Sequence, residues 1–208
     1  MSEIPGSVEV ISGPMGAGKT TELLMRMEYQ RRTAYVPNVI VPTTVAKSGR
    51  FKLAKMKTHD GREIVVHPVE DLEREFIDLH AREGQIKEPI AIGIDEVQFF
   101  DRSIIPVVER AAREWGWTIL CSGLNYDFKG DFWETTWDLL NIADVDILRK
   151  GKCAVCGSPA LCTQRLHLDG APARRDEPRV VLDDGNVRYE ARCWRCHVGG
   201  ATRILRHR

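Results

Sequence analysis

The 208-residue chain is 43% hydrophobic and 29% charged, which suits one moderate domain or one domain with a small appendage. Its 30 Lys plus Arg balance 30 Asp plus Glu, arguing against a polycationic nucleic-acid coat or a membrane-surface protein. No apolar run approaches the roughly 20 residues of a membrane span, and the first residues lack a secretory apolar stretch, so a cytoplasmic protein without membrane contact is expected.

The first element is an apolar strand, Val8 to Ile11, running into Gly13-Pro14-Met15-Gly16-Ala17-Gly18-Lys19-Thr20, which fits the phosphate-loop pattern G-x-x-x-x-G-K-[ST]. The glycines let backbone N–H groups wrap phosphates, Lys19 reaches the outer phosphates, and the Thr20 hydroxyl is offered to Mg²⁺. A helix from about Gly18 to Arg31, with Leu23, Leu24 and Met27 on one side, points its N-terminus at that charge. Val39 to Val41 reads as a second strand. The basic, weakly periodic stretch 51–67, with Lys52, Lys55 and Lys57, reads as a mobile connection that orders over bound nucleotide. Val69 to Arg82 carries Leu72, Phe76 and Leu79 at helical spacing and is stopped by Gly84.

Ile90-Ala91-Ile92-Gly93-Ile94-Asp95-Glu96 is the second informative segment. A continuous apolar run is what a strand buried on both faces of a parallel sheet requires, and this one ends in two carboxylates where open α/β sheets bind ligands. Asp95 is the candidate Mg²⁺ holder, and Glu96, one residue on and pointing elsewhere, the candidate base for an attacking hydroxyl or water. Ile104 to Trp115 forms a further helix ended by Gly116, Trp117 to Ser122 another buried strand with Cys121 as a small core residue, and Glu134 to Ala143 a last helix. Of the five tryptophans, only Trp133 falls where a ligand would touch it; the rest read as core or interface. The alternation of strands and helices predicts an α/β fold, a phosphate-loop parallel sheet flanked by helices, over residues 1–149.

Residues 150–208 form a second predicted unit. Two C-x-x-C pairs, Cys153/Cys156 and Cys193/Cys196, are separated by 36 residues and make a zinc-ribbon pattern with a closed four-cysteine site for structural Zn²⁺. His197 is the alternative to Cys196, and Cys162 reads as a spare thiol. The long spacer calls for a hairpin of its own, expected between Val180–Leu182 and Val187–Tyr189 around Asp183-Asp184-Gly185-Asn186. From Lys150 onward, 12 basic residues face 6 acidic ones, an excess able to attract anions. Four thiolates on Zn²⁺ would add about −2 and reduce that excess to roughly +4, leaving a nucleic-acid-binding ribbon as one alternative and a phosphate-loop kinase or NTPase with some other acceptor as another.

From Val8 to His197 the chain resembles type II thymidine kinases. The resemblance rests on Gly13, Pro14, Met15, Gly18, Lys19 and Thr20; on Asp95-Glu96-Val97-Gln98-Phe99-Phe100; on Gly123, Leu124, Asp127 and Phe128; on Thr163-Gln164-Arg165-Leu166; on Tyr189 to Cys193; and on the four ribbon cysteines. It implies transfer of the γ-phosphoryl group of ATP, with Mg²⁺ at Thr20 and Asp95, to the 5′-hydroxyl of thymidine or deoxyuridine, with Glu96 as general base. It further implies a nucleoside pocket of Met15, Gln98, Phe99, Leu124, Phe128, Trp133, Thr163 and Tyr189, with backbone groups around Val180 and Leu182 pairing with the base edges from a lasso that closes over the substrate. Arg50 and Arg165 are implied as extra cations, and a homotetramer as the assembly. Three positions depart from the family pattern: Ser48 stands where an Asp is usual, Gly16-Ala17 replaces a bulky-small pair, and Phe132-Trp133 replaces Pro-Phe.

Overall fold

The computed structural model describes residues 6–43, 51–52, 55–57, 63–86, 88–181 and 185–198. In chain order these form β1 (Ser7–Gly13), α1 (Lys19–Gln30), β2 (Val39–Pro42), β3 (Phe51–Lys52), β4 (Lys55–Lys57), β5 (Glu63–Val69), α2 (Leu72–His80), β6 (Ala91–Ile94), α3 (Ile104–Arg113), β7 (Thr118–Leu124), α4 (Glu134–Ile142) and β8 (Val145–Leu148). The C-terminal part adds β9 (Gly151–Lys152), β10 (Pro159–Ala160), β11 (Cys162–His167) and β12 (Val187–Arg192).

One sheet organises the larger part, in the order β3-β4-β5-β2-β6-β7-β1-β8. From β5 to β8 the strands run parallel, and β3 and β4 extend the sheet antiparallel at the β5 edge. The strand sequences explain why both faces are covered. Successive side chains point to opposite faces, so Val8 and Val10 of β1, Ile92 and Ile94 of β6, and Ile119 and Cys121 of β7 enter one core with α2, α3 and α4. Ile11, Ala91 and Leu120 enter the other, against Leu23 and Met27 of α1. Gly93 leaves room for that second packing: a Cβ there would sit 2.2 Å from the Met27 sulfur, so any other residue would displace the Met27 side chain from its place over β6.

The first core is anchored by Trp117, 1% exposed, whose ring lies 5.5 Å from that of Phe76 on α2. Its indole N–H donates to Glu83, so the large aromatic is buried with its polar handle satisfied. Helix α2 begins later than its hydrophobic spacing suggests. Val69 belongs to β5, and the helix starts after Asp71, whose carboxylate accepts from the Arg74 amide at 3.0 Å as an N-cap.

Two other expectations are corrected. The stretch 51–67 is not a connection throughout: β5 pairs in register with β2, with Val66 2% exposed, because Val65-Val66 supplies a half-buried pattern too short to stand out beside the preceding lysine-bearing stretch. The predicted hairpin between Val180–Leu182 and Val187–Tyr189 does not form as such. Val187 to Tyr189 instead belongs to β12, which pairs antiparallel with β11, Tyr189 opposite Arg165; Leu182, Asp183 and Asp184 lie outside the described residues. The edge strand β8 went unpredicted, since its mostly exposed residues carry no buried-strand signature.

Candidate active site

The sheet topology brings two segments distant in sequence to one edge. β7 lies between β1 and β6, so the turn after β1 and the acid pair after β6 flank its C-terminal end. The turn is the phosphate loop. Gly16 and Gly18 adopt positive φ of 72° and 77°, a conformation that costs a residue with Cβ but suits glycine, and Gly18 serves as N-cap of α1 without any side-chain cap bond. The start of α1 is thereby left to an external anion, with the helix dipole favouring negative charge. The Lys19 ammonium donates to the Pro14 carbonyl at 2.9 Å, folded back across the loop.

Across the end of β7, the Thr20 hydroxyl donates to Asp95 Oδ2 at 2.7 Å, and the Glu96 amide donates to Asp95 Oδ1 at 2.9 Å. Asp95 is 1% exposed. Burial, followed by the charge of Glu96, pushes its carboxyl above the ordinary carboxylate range, against the hydrogen bond from Thr20. Two hard oxygen donors, Thr20 Oγ1 and a carboxylate whose negative charge the protein alone holds poorly, fit a divalent cation of the Mg²⁺ type. Glu96 has φ of 56°, the one non-glycine residue among the described residues with positive φ. A conformation of this kind costs on the order of 1–3 kcal/mol and marks sites where side-chain direction matters more than comfort. Its carboxylate accepts from Gln98 Nε2 at 2.6 Å, and Gln98 Oε1 in turn accepts from the Leu124 amide at 3.0 Å. Met15, Gly16, Gly18, Lys19, Thr20, Thr21, Asp95, Glu96 and Leu124 line one cleft.

The remaining sequence-predicted pocket residues fall into place unevenly. Phe99, half-buried, meets Trp133 edge to face at 5.5 Å. Thr163, 1% exposed, accepts the Met15 amide at 3.0 Å and so touches the phosphate loop directly. Phe128, 3% exposed, lies under the Arg165 guanidinium at 3.7 Å. Tyr189 is half-buried beside Arg165, and Val180 is 47% exposed. Gln98, 4% exposed, has both ends of its amide engaged within the protein, so its place is as a brace for Glu96. Arg165 does not line the cleft: it is fully buried, donating to the Pro178 carbonyl at 2.8 Å and paired with Glu177 at 3.2 Å. Arg50, Ser48 and Leu182 lie outside the described residues.

Sequence reasoning passed over Arg149. It leaves β8 beside the loop, its Nε donating to the Ala17 carbonyl at 3.5 Å and its guanidinium 3.4 Å from Glu22. The only signal was a cation directly after an edge strand, which by itself is uninformative.

In the C-terminal part, the sulfurs of Cys153, Cys156, Cys193 and Cys196 all lie within 4.8 Å of one another, with Cys156 and Cys193 3.6 Å apart. Tetrahedral Zn²⁺ with Zn–S near 2.3 Å asks for sulfurs about 3.8 Å apart, so the set fits the metal. Burial opposes ionisation of Cys153, yet the amides of Cys193, Cys156 and Val155 bring its thiol down to about 6, while the Cys193 sulfur and burial push Cys196 up to about 12. Four crowded sulfurs cannot all carry charge alone, and a divalent cation removes that conflict. His197 is not part of the set. Its Nε2 lies 3.0 Å from the Phe128 carbonyl and 3.2 Å from that of Thr163, both acceptors, so this nitrogen carries the proton, and burial holds the ring below its ordinary pKa. Cys162 is buried outside the cluster, its thiol pushed up to about 12 by burial and the nearby Cys193 and Cys153.

A glycine-rich loop capping a helix at the edge of a parallel sheet, joined by hydrogen bond to a buried acid on a neighbouring strand, defines a nucleotide-binding protein of the phosphate-loop class. A family model described as thymidine kinase matches residues 6–197, and a thymidine kinase of Thermococcus kodakarensis (strain KOD1) is 39% identical over 196 residues, 93% of this chain and 94% of that protein. The chain belongs to the thymidine kinase family. A solved structure described as an ATPase is similar at 15% identity, covering 91% of this chain and 80% of that one with a TM-score of 0.40. No helix among the described residues is long and apolar enough to cross a membrane.

Two outcomes test the site's electrostatics. With its folded-state pKa above the unfolded one, Asp95 favours the fold at pH below the ordinary carboxylate range, and that contribution is lost as pH rises through the raised value. The nucleotide-free Asp95→Asn protein is therefore expected to melt a few degrees above wild type at pH 8, with the gap narrowing towards pH 5, in thermal scans without Mg²⁺. Metal analysis of purified protein should give about one zinc per chain, and Cys156→Ala should lose it together with thermal stability.

Proposed function

We propose that this kinase transfers the γ-phosphoryl group of ATP to the 5′-hydroxyl of thymidine, and of deoxyuridine, in the cytoplasm. The observation that carries the reading is that Lys19, Thr20, Asp95 and Glu96 line a single cleft with Met15 and Leu124. Phosphoryl transfer demands positioning and charge compensation more than covalent chemistry by the protein. The loop amides of Gly16 and Gly18 and the Lys19 ammonium would hold the β- and γ-phosphates, with Lys19 leaving the Pro14 carbonyl for the anion. Thr20 and Asp95 would hold Mg²⁺, which supplies neutralisation of the phosphate oxygens.

Glu96 would take the proton of the attacking hydroxyl, its carboxylate kept in place by Gln98 and by the turn at its own positive φ. Phe99 and Trp133 offer aromatic faces for a pyrimidine, with Leu124, Met15, Phe128, Thr163 and Tyr189 completing the apolar surround and the backbone near Val180 and Leu182 reading the base edges. The internal ion pairing of Arg165, Arg174, Arg175, Arg179 and Arg192 takes up much of the C-terminal basic excess and supports a small-molecule substrate over nucleic acid. Zinc at the four cysteines would be structural, because four protein ligands leave no open coordination position. Residues 1–149 would form the nucleotide-binding domain and 150–208 the ribbon and lasso, assembled as a tetramer.

A panel of thymidine, deoxyuridine, deoxycytidine and water as acceptors, assayed with ATP and Mg²⁺, tests the reading: thymidine should give the highest kcat/KM. Deoxycytidine outrunning thymidine would overturn the substrate assignment. Glu96→Gln is expected to bind ATP nearly as wild type while turnover falls about 10²-fold or more, and unchanged turnover would remove Glu96 from the base role.

A further inference from the structure

Arg179 sits immediately before the exposed Val180, in the segment that follows β11, yet its side chain is tied to the other part of the molecule four times over. Its Nε is 2.9 Å from Asp127 Oδ2, one amine is 2.7 Å from Glu134, the other donates to the Phe132 carbonyl, and the guanidinium plane lies 4.0 Å over the Trp133 ring. Asp127 is 3% exposed and Trp133 8%, so the charge pair and the stack are largely shielded from water. Trp133 in turn meets Phe99, which shares a short helical turn, Val97–Phe99, with the Gln98 that braces Glu96. An unbroken line of contacts therefore runs from the base candidate through two aromatics to Arg179.

The neighbouring residues are held differently. Glu177 and Pro178 are fixed by Arg165 from β11, and Arg175 pairs with Asp131 at 2.9 Å. Among the described residues, Arg179 fixes the chain at residues 179–181, which include the Val180 that the nucleoside reading sets beside the base. Its removal need not unfold the protein. Asp127 Oδ1 still accepts the amides of Lys129 and Asp131 at 2.8 and 3.0 Å, so that buried carboxylate keeps partners.

We propose that Arg179 is a latch, a positioning residue that clamps residues 179–181 against Trp133 and so sets where the Val180 backbone stands in the nucleoside pocket. The inference rests on the thymidine kinase reading for its substrate. Arg179→Ala is expected to raise the nucleoside KM about tenfold or more, with kcat and the KM for ATP within about threefold of wild type. Arg179→Lys keeps a charge for Asp127 but not the planar fork or the stack, and is expected to fall between the two. Because the pair with Glu134, unlike that with Asp127, is exposed to solvent, raising ionic strength should increase the wild-type nucleoside KM, and that slope should flatten in Arg179→Ala.

Backbone amide exchange without any substrate separates the latch from the substrate assignment. At unchanged melting temperature, amides of residues 179–181 should exchange faster in Arg179→Ala and, less so, in Arg179→Lys, while those of β1 and β6 do not. Exchange at 179–181 equal to wild type in both variants overturns the latch whatever the enzyme phosphorylates. If wild type phosphorylates no nucleoside yet exchange rises as expected, the latch stands and the thymidine kinase reading falls.

Discussion

The hydrogen bond between Thr20 and the buried Asp95 is the junction on which the architecture turns. It ties the start of α1 to the end of β6 across the tip of β7, and it exists only because a parallel sheet with helices on both faces delivers two strand ends to the same dry edge. Apolar residues on both faces of β6 do more than stabilise the core. They carry a carboxyl group out of water to a place where its charge is unwelcome until a cation arrives. Glu96, one residue later, escapes that burial through a left-handed backbone, so adjacent acids in sequence acquire different environments.

The C-terminal part is wired to this edge through β11. Alternate residues of that strand reach across: Thr163 takes an amide of the phosphate loop, and Arg165 stacks on Phe128 while gripping Glu177 and Pro178. His197, directly after the last ribbon cysteine, ties into the carbonyls of Phe128 and Thr163. A metal ion held at Cys193 and Cys196 would thus fix where His197 sits, and through it where one wall of the site lies.

Much of this was legible because it depends on local chemistry. The phosphate loop needs fixed residues at fixed spacing, the β6 strand needs an unbroken apolar run before its acids, and the four cysteines need paired knuckles; each leaves a pattern that survives without a fold. What escaped depends on distant partners. Val66 stands in a short apolar run behind a lysine-bearing stretch and reads as loop until β2 is seen beside it. Val187 to Tyr189 looked like half of a local hairpin, whereas its partner is β11, some twenty residues upstream of it. Arg165 read as a cation for phosphate, since no sequence pattern distinguishes a guanidinium aimed at a ligand from one stacked on Phe128 and paired with Glu177. Gln98 read as a substrate contact for the same reason: its two hydrogen bonds join groups that are neighbours only in the folded chain.

The amide of Met15 sits in the midst of the phosphate-binding turn, but the oxygen that receives it belongs to Thr163. The N-terminal half is therefore not self-sufficient. Cut away everything after β8 and the turn is deprived of an acceptor it was shaped around, so its resting geometry is a property of the whole chain. Transplanting the first half alone as a modular ATP-binding unit would deliver the familiar motif without the buttress that sets its shape.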